Sequence, residues 1–139
     1  MRSAADVDAL LDAGLVFAHG RPASAGSLAI LTNGGGAGVL AVDALERDGG
    51  RLATLSPETQ ATLRGLLPAS GSVANPVDIL GDAGPDLYAR ALAALLAAPE
   101  VEAVLVLNCP TAVADSGLAA DAIIAARKAG AGAKPVLAA

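Results

Sequence analysis

In Ser27–Leu45, SLAILTNGGGAGVLAVDAL, four glycines (Gly34, Gly35, Gly36 and Gly38) fall between the apolar run Leu28–Leu31 and a helix-like pattern. Glycine has no Cβ, so a run of it lets a ligand reach main-chain N–H groups that side chains otherwise screen. At a helix start those N–H groups lack intrahelical partners and lie at the positive end of the helix dipole. The chemistry on offer is anion binding, phosphate above all. The plainer alternative is a tight strand-to-helix turn that lets helix and sheet pack closely. The candidate phosphate contacts are Asn33, Gly34, Gly35, Gly36, Ala37 and Gly38. A second loop, NCPTAVADS, follows another apolar run; its Asn108, Cys109, Pro110 and Thr111 offer a hydroxyl and main-chain donors and form a second candidate ligand loop.

The kind of phosphate is narrowed by what is missing nearby. A Walker A loop needs Gly-Lys-Ser/Thr, and no lysine lies near Gly38. A dinucleotide fingerprint, G-x-G-x-x-A, is matched by Gly36, Gly38 and Ala41, but its acidic partner should end the second strand, whereas Glu58 follows Ser56-Pro57 and falls inside a helix. Cys109 has no histidine or other base near it in sequence and reads as a packed thiol, not a nucleophile. His19 is the one histidine, and it sits in the linker HGRPASAG ahead of the first strand. No catalytic residue is therefore assigned. One cysteine with one histidine leaves no metal set. In Asn75-Pro76-Val77-Asp78 and Gly81-Asp82, aspartates are placed to pin their own backbone, as in a self-bonded turn.

These loops need a scaffold, and the chain spells one out. Ser3–Phe17 has a capping serine and Val7, Leu10 and Leu11 on one face, a helix followed by the His19–Gly26 linker. Thereafter strands and helices alternate: strand Leu28–Leu31, helix Gly38–Asp48, strand Leu52–Leu55, helix Glu58–Leu67, a short strand Val77–Leu80, helix Asp86–Ala98, strand Val101–Leu107, helix Gly117–Ala129 and strand Lys134–Leu137. Ser56 with Pro57 is a strong helix start. Such alternation predicts an α/β domain built on a parallel sheet, with ligands at the carboxyl ends of its strands. Composition excludes other classes. Two aromatics, Phe17 and Tyr88, and nine Lys+Arg against 14 Asp+Glu argue against nucleic acid. The longest apolar run, Ala91–Ala98, is far short of the ~20 residues of a membrane span. Asp6 and Asp8 do not fit a signal peptide, so the expected location is the cytoplasm.

The glycine turn, the VDILG segment and the VEAVLVL strand, in this order from Leu28 onward, resemble the flavodoxin-like ligase domain of the NDP-forming acyl-CoA synthetases. The same order is similar to the carboxyl-terminal domain of the succinyl-CoA synthetase β-subunit, and related domains occur in protein acetyltransferase fusions. The resemblance implies a three-layer αβα fold with a mainly parallel sheet over 28–139, with 1–27 as connecting helix and linker. It also implies a domain shortened at its carboxyl end, because family members continue past the KPVLA strand. It implies a reaction that interconverts acyl-CoA, phosphate and NDP with acid, CoA and NTP through an acyl phosphate and a phosphohistidine. The Asn33–Gly38 turn would then dock the phosphohistidine of a separate, related domain, and the loop of Asn108, Cys109, Pro110 and Thr111 would be a substrate loop facing the acyl or phosphate end of the substrate. No cofactor is expected on this chain itself. CoA, ATP/ADP and Mg would belong to the parent enzyme, with CoA-binding, histidine-bearing ligase and ATP-grasp domains as partners, and phosphate or acyl phosphate as ligand. Ala37 departs from the proline frequent in the family at the first helical turn. Outside the family, two readings stay open: a stand-alone anion- or nucleotide-binding module without turnover, and a dinucleotide-binding fragment.

Overall fold

A computed structural model of the protein describes residues 26–130 and 134–139. The expected helix Ser3–Phe17 and His19 lie outside the described residues.

The strand at the centre is β1 (Ser27–Thr32), the most completely buried of the apolar runs. On one side it pairs with β4 (Ala103–Leu107), in register from Leu28↔Ala103 to Thr32↔Leu107, and β4 pairs in turn with β5 (Val136–Ala138). Two short strands share the other side of β1. β2 (Arg51–Leu52) pairs with its amino-terminal half, and β3 (Val77–Asp78) with Leu31 and Thr32 at its carboxyl end. Every one of these pairings is parallel, as alternating strands and helices require. The architecture is the expected α/β flavodoxin-like single domain.

Among the described residues four helices flank the sheet: α1 (Gly35–Arg47), α2 (Pro57–Arg64), α3 (Pro85–Ala97) and α4 (Ser116–Ala129). Side chains alternate along a strand, so each strand feeds both layers. Ala29 and Leu31 of β1 and Val104 and Val106 of β4 enter the main core, with Leu63 of α2, Tyr88, Leu92 and Leu95 of α3, and Ala119 and Ile123 of α4. Thr32 points to the opposite face, where α1 lies against it: a Cβ on Gly38 would stand 3.1 Å from Thr32 Cγ2 and 3.1 Å from Pro76 Cβ. Gly38 is thus a packing glycine that lets α1 sit close to the sheet.

Two boundaries differ from the sequence reading in an informative way. The second strand, expected at Leu52–Leu55, pairs only at Arg51 and Leu52, after which Ala53 donates one more bond to Leu28 O at 2.8 Å. The first helix, expected from Gly38, begins three residues earlier at Gly35. Glycine propensity argues against helix, but first-turn N–H groups are unpaired in any case, and here Gly38 N closes the first helical bond to Gly34 O at 3.2 Å.

Candidate functional site

The carboxyl edge of the sheet gathers three loops: Asn33–Gly34 after β1, the segment after β3, and Asn108–Asp115 after β4. Thr32 starts the first. Its Oγ1 accepts from Gly34 N at 3.0 Å and donates to Gly34 O at 3.1 Å, so the Gly34 N–H is spent inside the turn. Gly34 is the N-cap of α1, with extended φ of −142° and no side-chain cap. Beyond it, Gly35, Gly36 and Ala37 occupy the first turn, where no N–H has an intrahelical acceptor. Around Gly36 there is open space: nothing lies within 4 Å of where a Cβ would be.

Two other helix starts among the described residues are capped by side chains. At α2, Ser56 Oγ accepts from Thr59 N at 3.2 Å. At α4, Asp115 Oδ1 accepts from Gly117 N at 2.8 Å and from Leu118 N at 3.1 Å. α3 opens with Pro85, which has no N–H to offer, and carries Asp86 in its first turn. Among the described helices, α1 alone combines a bare glycine turn, no acidic residue in the first turn and no capping side chain.

Asn33 plays a different part from the one its place in the motif suggests. It is 4% exposed, and its carboxamide pairs with the backbone of Cys109: Cys109 N donates to Asn33 Oδ1 at 2.7 Å, and Asn33 Nδ2 donates to Cys109 O at 2.9 Å. Both faces of the side chain are thus occupied. Cys109 is half-buried with its sulfur against Gly34, where a Cβ would lie 2.6 Å from Sγ. The rest of the candidate substrate loop is similarly committed. Asn108 Oδ1 accepts from Tyr88 OH at 3.3 Å and Asn108 N donates to Ala139 O at 2.8 Å, while Thr111 Oγ1 donates to Gly81 O at 2.8 Å. Pro110 is exposed. Burial, then the neighbouring Cys109 and Asp78, push the Tyr88 hydroxyl up to about 12, so this tyrosine stays neutral beneath the loop.

The self-bonded turn after β3 is present. Asp78 Oδ1 accepts from Leu80 N at 2.9 Å, holding Leu80 at a left-handed φ of 71°. The other carboxylate oxygen faces α1, 3.0 Å from where a Gly35 Cβ would be. Glu58 lies in the first turn of α2 and does not end β2, so the acidic partner of a dinucleotide fingerprint is out of place. Sequence reading missed Asp78 as a neighbour of the glycine turn and Thr32 as its organiser. The Thr-x-Gly spacing was the one local signal for the latter. Large apolar side chains stand exposed on the elements that carry these loops: Leu40 on α1 at 70%, Val113 in the β4–α4 loop at 75% and Leu118 on α4 at 56%.

The chain resembles known proteins along most of its length. It is 42% identical over 121 residues to the ADP-forming acetate–CoA ligase I of Archaeoglobus fulgidus, covering 87% of this chain and 17% of that protein. It is 40% identical over 98 residues to the alpha subunit of the ADP-forming acetate–CoA ligase I of Pyrococcus furiosus, covering 70% of this chain and 21% of the subunit. The apo form of acetyl-coenzyme A synthetase 1 from Ca. Korarchaeum cryptofilum superposes with a TM-score of 0.89 at 34% identity, over 97% of this chain and 30% of that one. The same synthetase in complex with phosphate and ADP gives a TM-score of 0.87 at 35% identity. The chain thus spans less than a third of the length of each of these relatives. The Ligase-CoA domain family model matches residues 28–139, and the chain belongs to that family.

Proposed function

We propose that this chain is the part of an ADP-forming acyl-CoA synthetase that receives a phosphoryl group, carried on a histidine of another domain, at the open start of α1. In the reaction, phosphate displaces CoA from an acyl-CoA to give an acyl phosphate. The histidine nitrogen then takes the phosphoryl group and releases the acid, and ADP accepts it to form ATP. The observation that carries the reading is the first turn of α1, which has no capping side chain and has open space at Gly36, while Ser56 and Asp115 cap the starts of α2 and α4.

Such a cradle must bind a charged group and release it again. Main-chain N–H groups stabilise the phosphoryl oxygens without a fixed cation, and the Asp78 carboxylate beside Gly35 opposes permanent capture. Asn33, Gly34 and Gly38 shape the turn, and the Asn108–Thr111 loop forms its wall. Exposed Leu40, Val113 and Leu118 on the elements that carry these loops suit burial against the histidine-bearing domain. The names of the relatives, and the phosphate and ADP in the Korarchaeum complex, support acetate or a similar small acid as substrate. Among the described residues no three His, Cys, Asp or Glu side chains are placed to hold a metal ion. Mg, CoA and ATP/ADP are assigned, by the likeness to ADP-forming synthetases, to the CoA-binding and ATP-grasp domains of a cytoplasmic parent enzyme. No helix among the described residues is long and apolar enough to cross a membrane.

The test uses the full-length parent and labelled ATP. Acid-labile label is expected on a histidine outside this chain, unchanged by His19→Ala and reduced by Gly36→Val. Label on His19 itself would overturn the proposal.

A further inference from the structure

The Asn33 carboxamide holds both backbone groups of Cys109, 76 residues away, at 2.7 and 2.9 Å, with Asn33 buried and Cys109 half-buried. The two loops touch again where Gly34 meets the Cys109 sulfur with no room for a methyl group. The second loop is in turn tied to the third by Thr111 and Gly81, and to α3 by Asn108 and Tyr88. We infer that Asn33 is a positioning residue that makes the glycine turn and the Asn108–Thr111 loop move as one body, so that an oxyanion docked at the start of α1 is felt at Cys109. The inference rests on the phosphate reading for the identity of the ligand, but the clamp can be tested without it.

The physical reasoning concerns where the loop would open. A parallel pair of strands such as β1 and β4 ends its ladder at Thr32↔Leu107, and beyond that point nothing in the backbone pairing joins the two loops. Asn33 extends the connection by one step, offering an acceptor to an N–H and a donor to a carbonyl, as a strand residue would. Removing the carboxamide takes the Asn33 partner from the Cys109 N–H and C=O in a part-buried place, where opening toward water becomes the cheaper state. Gly34 would then lose the sulfur that backs it, and the first turn of α1 its fixed edge.

Cys109 reports on this directly, because it is the only cysteine in the chain and its thiol reacts only when exposed. The experiment follows iodoacetamide alkylation of the 139-residue chain with and without inorganic phosphate, at fixed pH, with circular dichroism confirming the fold. Asn33→Ala should speed alkylation about tenfold. Asn33→Asp, which keeps the acceptor but turns a carboxylate toward the Cys109 carbonyl, should also speed it and is the variant to use should Asn33→Ala not fold. Phosphate should slow alkylation of the natural chain and leave Asn33→Ala unaffected. If the natural chain ignores phosphate while both variants still react faster, the clamp stands and the phosphate reading falls. If phosphate slows alkylation but a folded Asn33 variant reacts like the natural chain, the clamp is overturned and the phosphate reading survives.

Discussion

The side chain of Asn75 pairs with the backbone of β1 as a strand would: its Oδ1 accepts from Ile30 N at 2.9 Å, in the gap between β2 and β3. Its Nδ2 donates to Leu28 O at 2.9 Å and to Ala53 O at 3.0 Å, closing the gap across three chain segments. Asn75→Ala leaves the Ile30 N–H and the Ala53 carbonyl without the Asn75 partner, while Leu28 O keeps its bond from Ala53 N, and should cost about 1–3 kcal/mol, read as a lowered urea midpoint. Asn75→Asp keeps the acceptor for Ile30 and should cost less at low pH, where the protonated carboxyl regains a donor. Equal loss for both variants at all pH values would mean the gap is bridged some other way.

The glycines of the α1 turn should answer substitution in opposite directions. Gly34→Ala drives a methyl group into Cys109 and should cost about 1–3 kcal/mol. Because the clash is with one side chain, Gly34→Ala and Cys109→Ala together should cost less than their sum. Gly36→Ala meets nothing and should stabilise the helix by about 0.5–1 kcal/mol, measured by thermal denaturation. Destabilisation by Gly36→Ala would mean that this position is not open.

How much of this was legible beforehand depended on distance along the chain. Ser56 caps α2 three residues from its partner, and Asp78 pins Leu80 two residues on, so residue type and spacing were enough to expect both. Asn75 reaches across 45 and 47 residues to Ile30 and Leu28, and Asn33 across 76 to Cys109. Nothing local announces such pairs. The shortened β2 has the same origin, since Asn75 occupies the side of β1 that a longer strand would need. The early start of α1 was hidden by glycine propensity, which speaks for loop where tertiary packing of Gly38 onto Thr32 decides for helix. The proposal of the glycine turn as an anion site came from composition; that Thr32 occupies the Gly34 N–H is visible only in the fold.

Tyr88 is the only tyrosine, so its titration can be read by ultraviolet absorbance without interference. Its hydroxyl is held at about 12, above its ordinary value of 10.0, mainly by burial. The folded-state value is the higher one, so this stabilisation is complete below pH 10 and is lost as pH rises toward 12. The tyrosinate band should stay absent through pH 11 while the protein is folded and appear as it unfolds. A band at pH 10 in folded protein would contradict the buried Tyr88–Asn108 contact.

Glu100 works in the opposite direction. Its Oε1 accepts from Ser56 N at 2.8 Å, and chiefly this bond lowers its carboxyl from 4.5 to about 2. The folded-state value is the lower one, so its contribution is complete above pH 4.5 and fades as pH falls toward 2. Solvent screening keeps the effect small. Glu100→Gln should flatten the acid limb of a stability profile measured by urea unfolding, and an unchanged limb would assign acid sensitivity to other carboxylates.

Phosphoryl docking at the start of α1 is tested most directly by amide chemical shifts in the 15N-labelled chain titrated with inorganic phosphate. Docking predicts saturable shifts at Gly35, Gly36 and Ala37, little change at the capped starts of α2 and α4, and loss of the response in Gly36→Val with the fold intact. Saturable shifts confined to other residues, or none at Gly35–Ala37 at tens of millimolar phosphate, would contradict it.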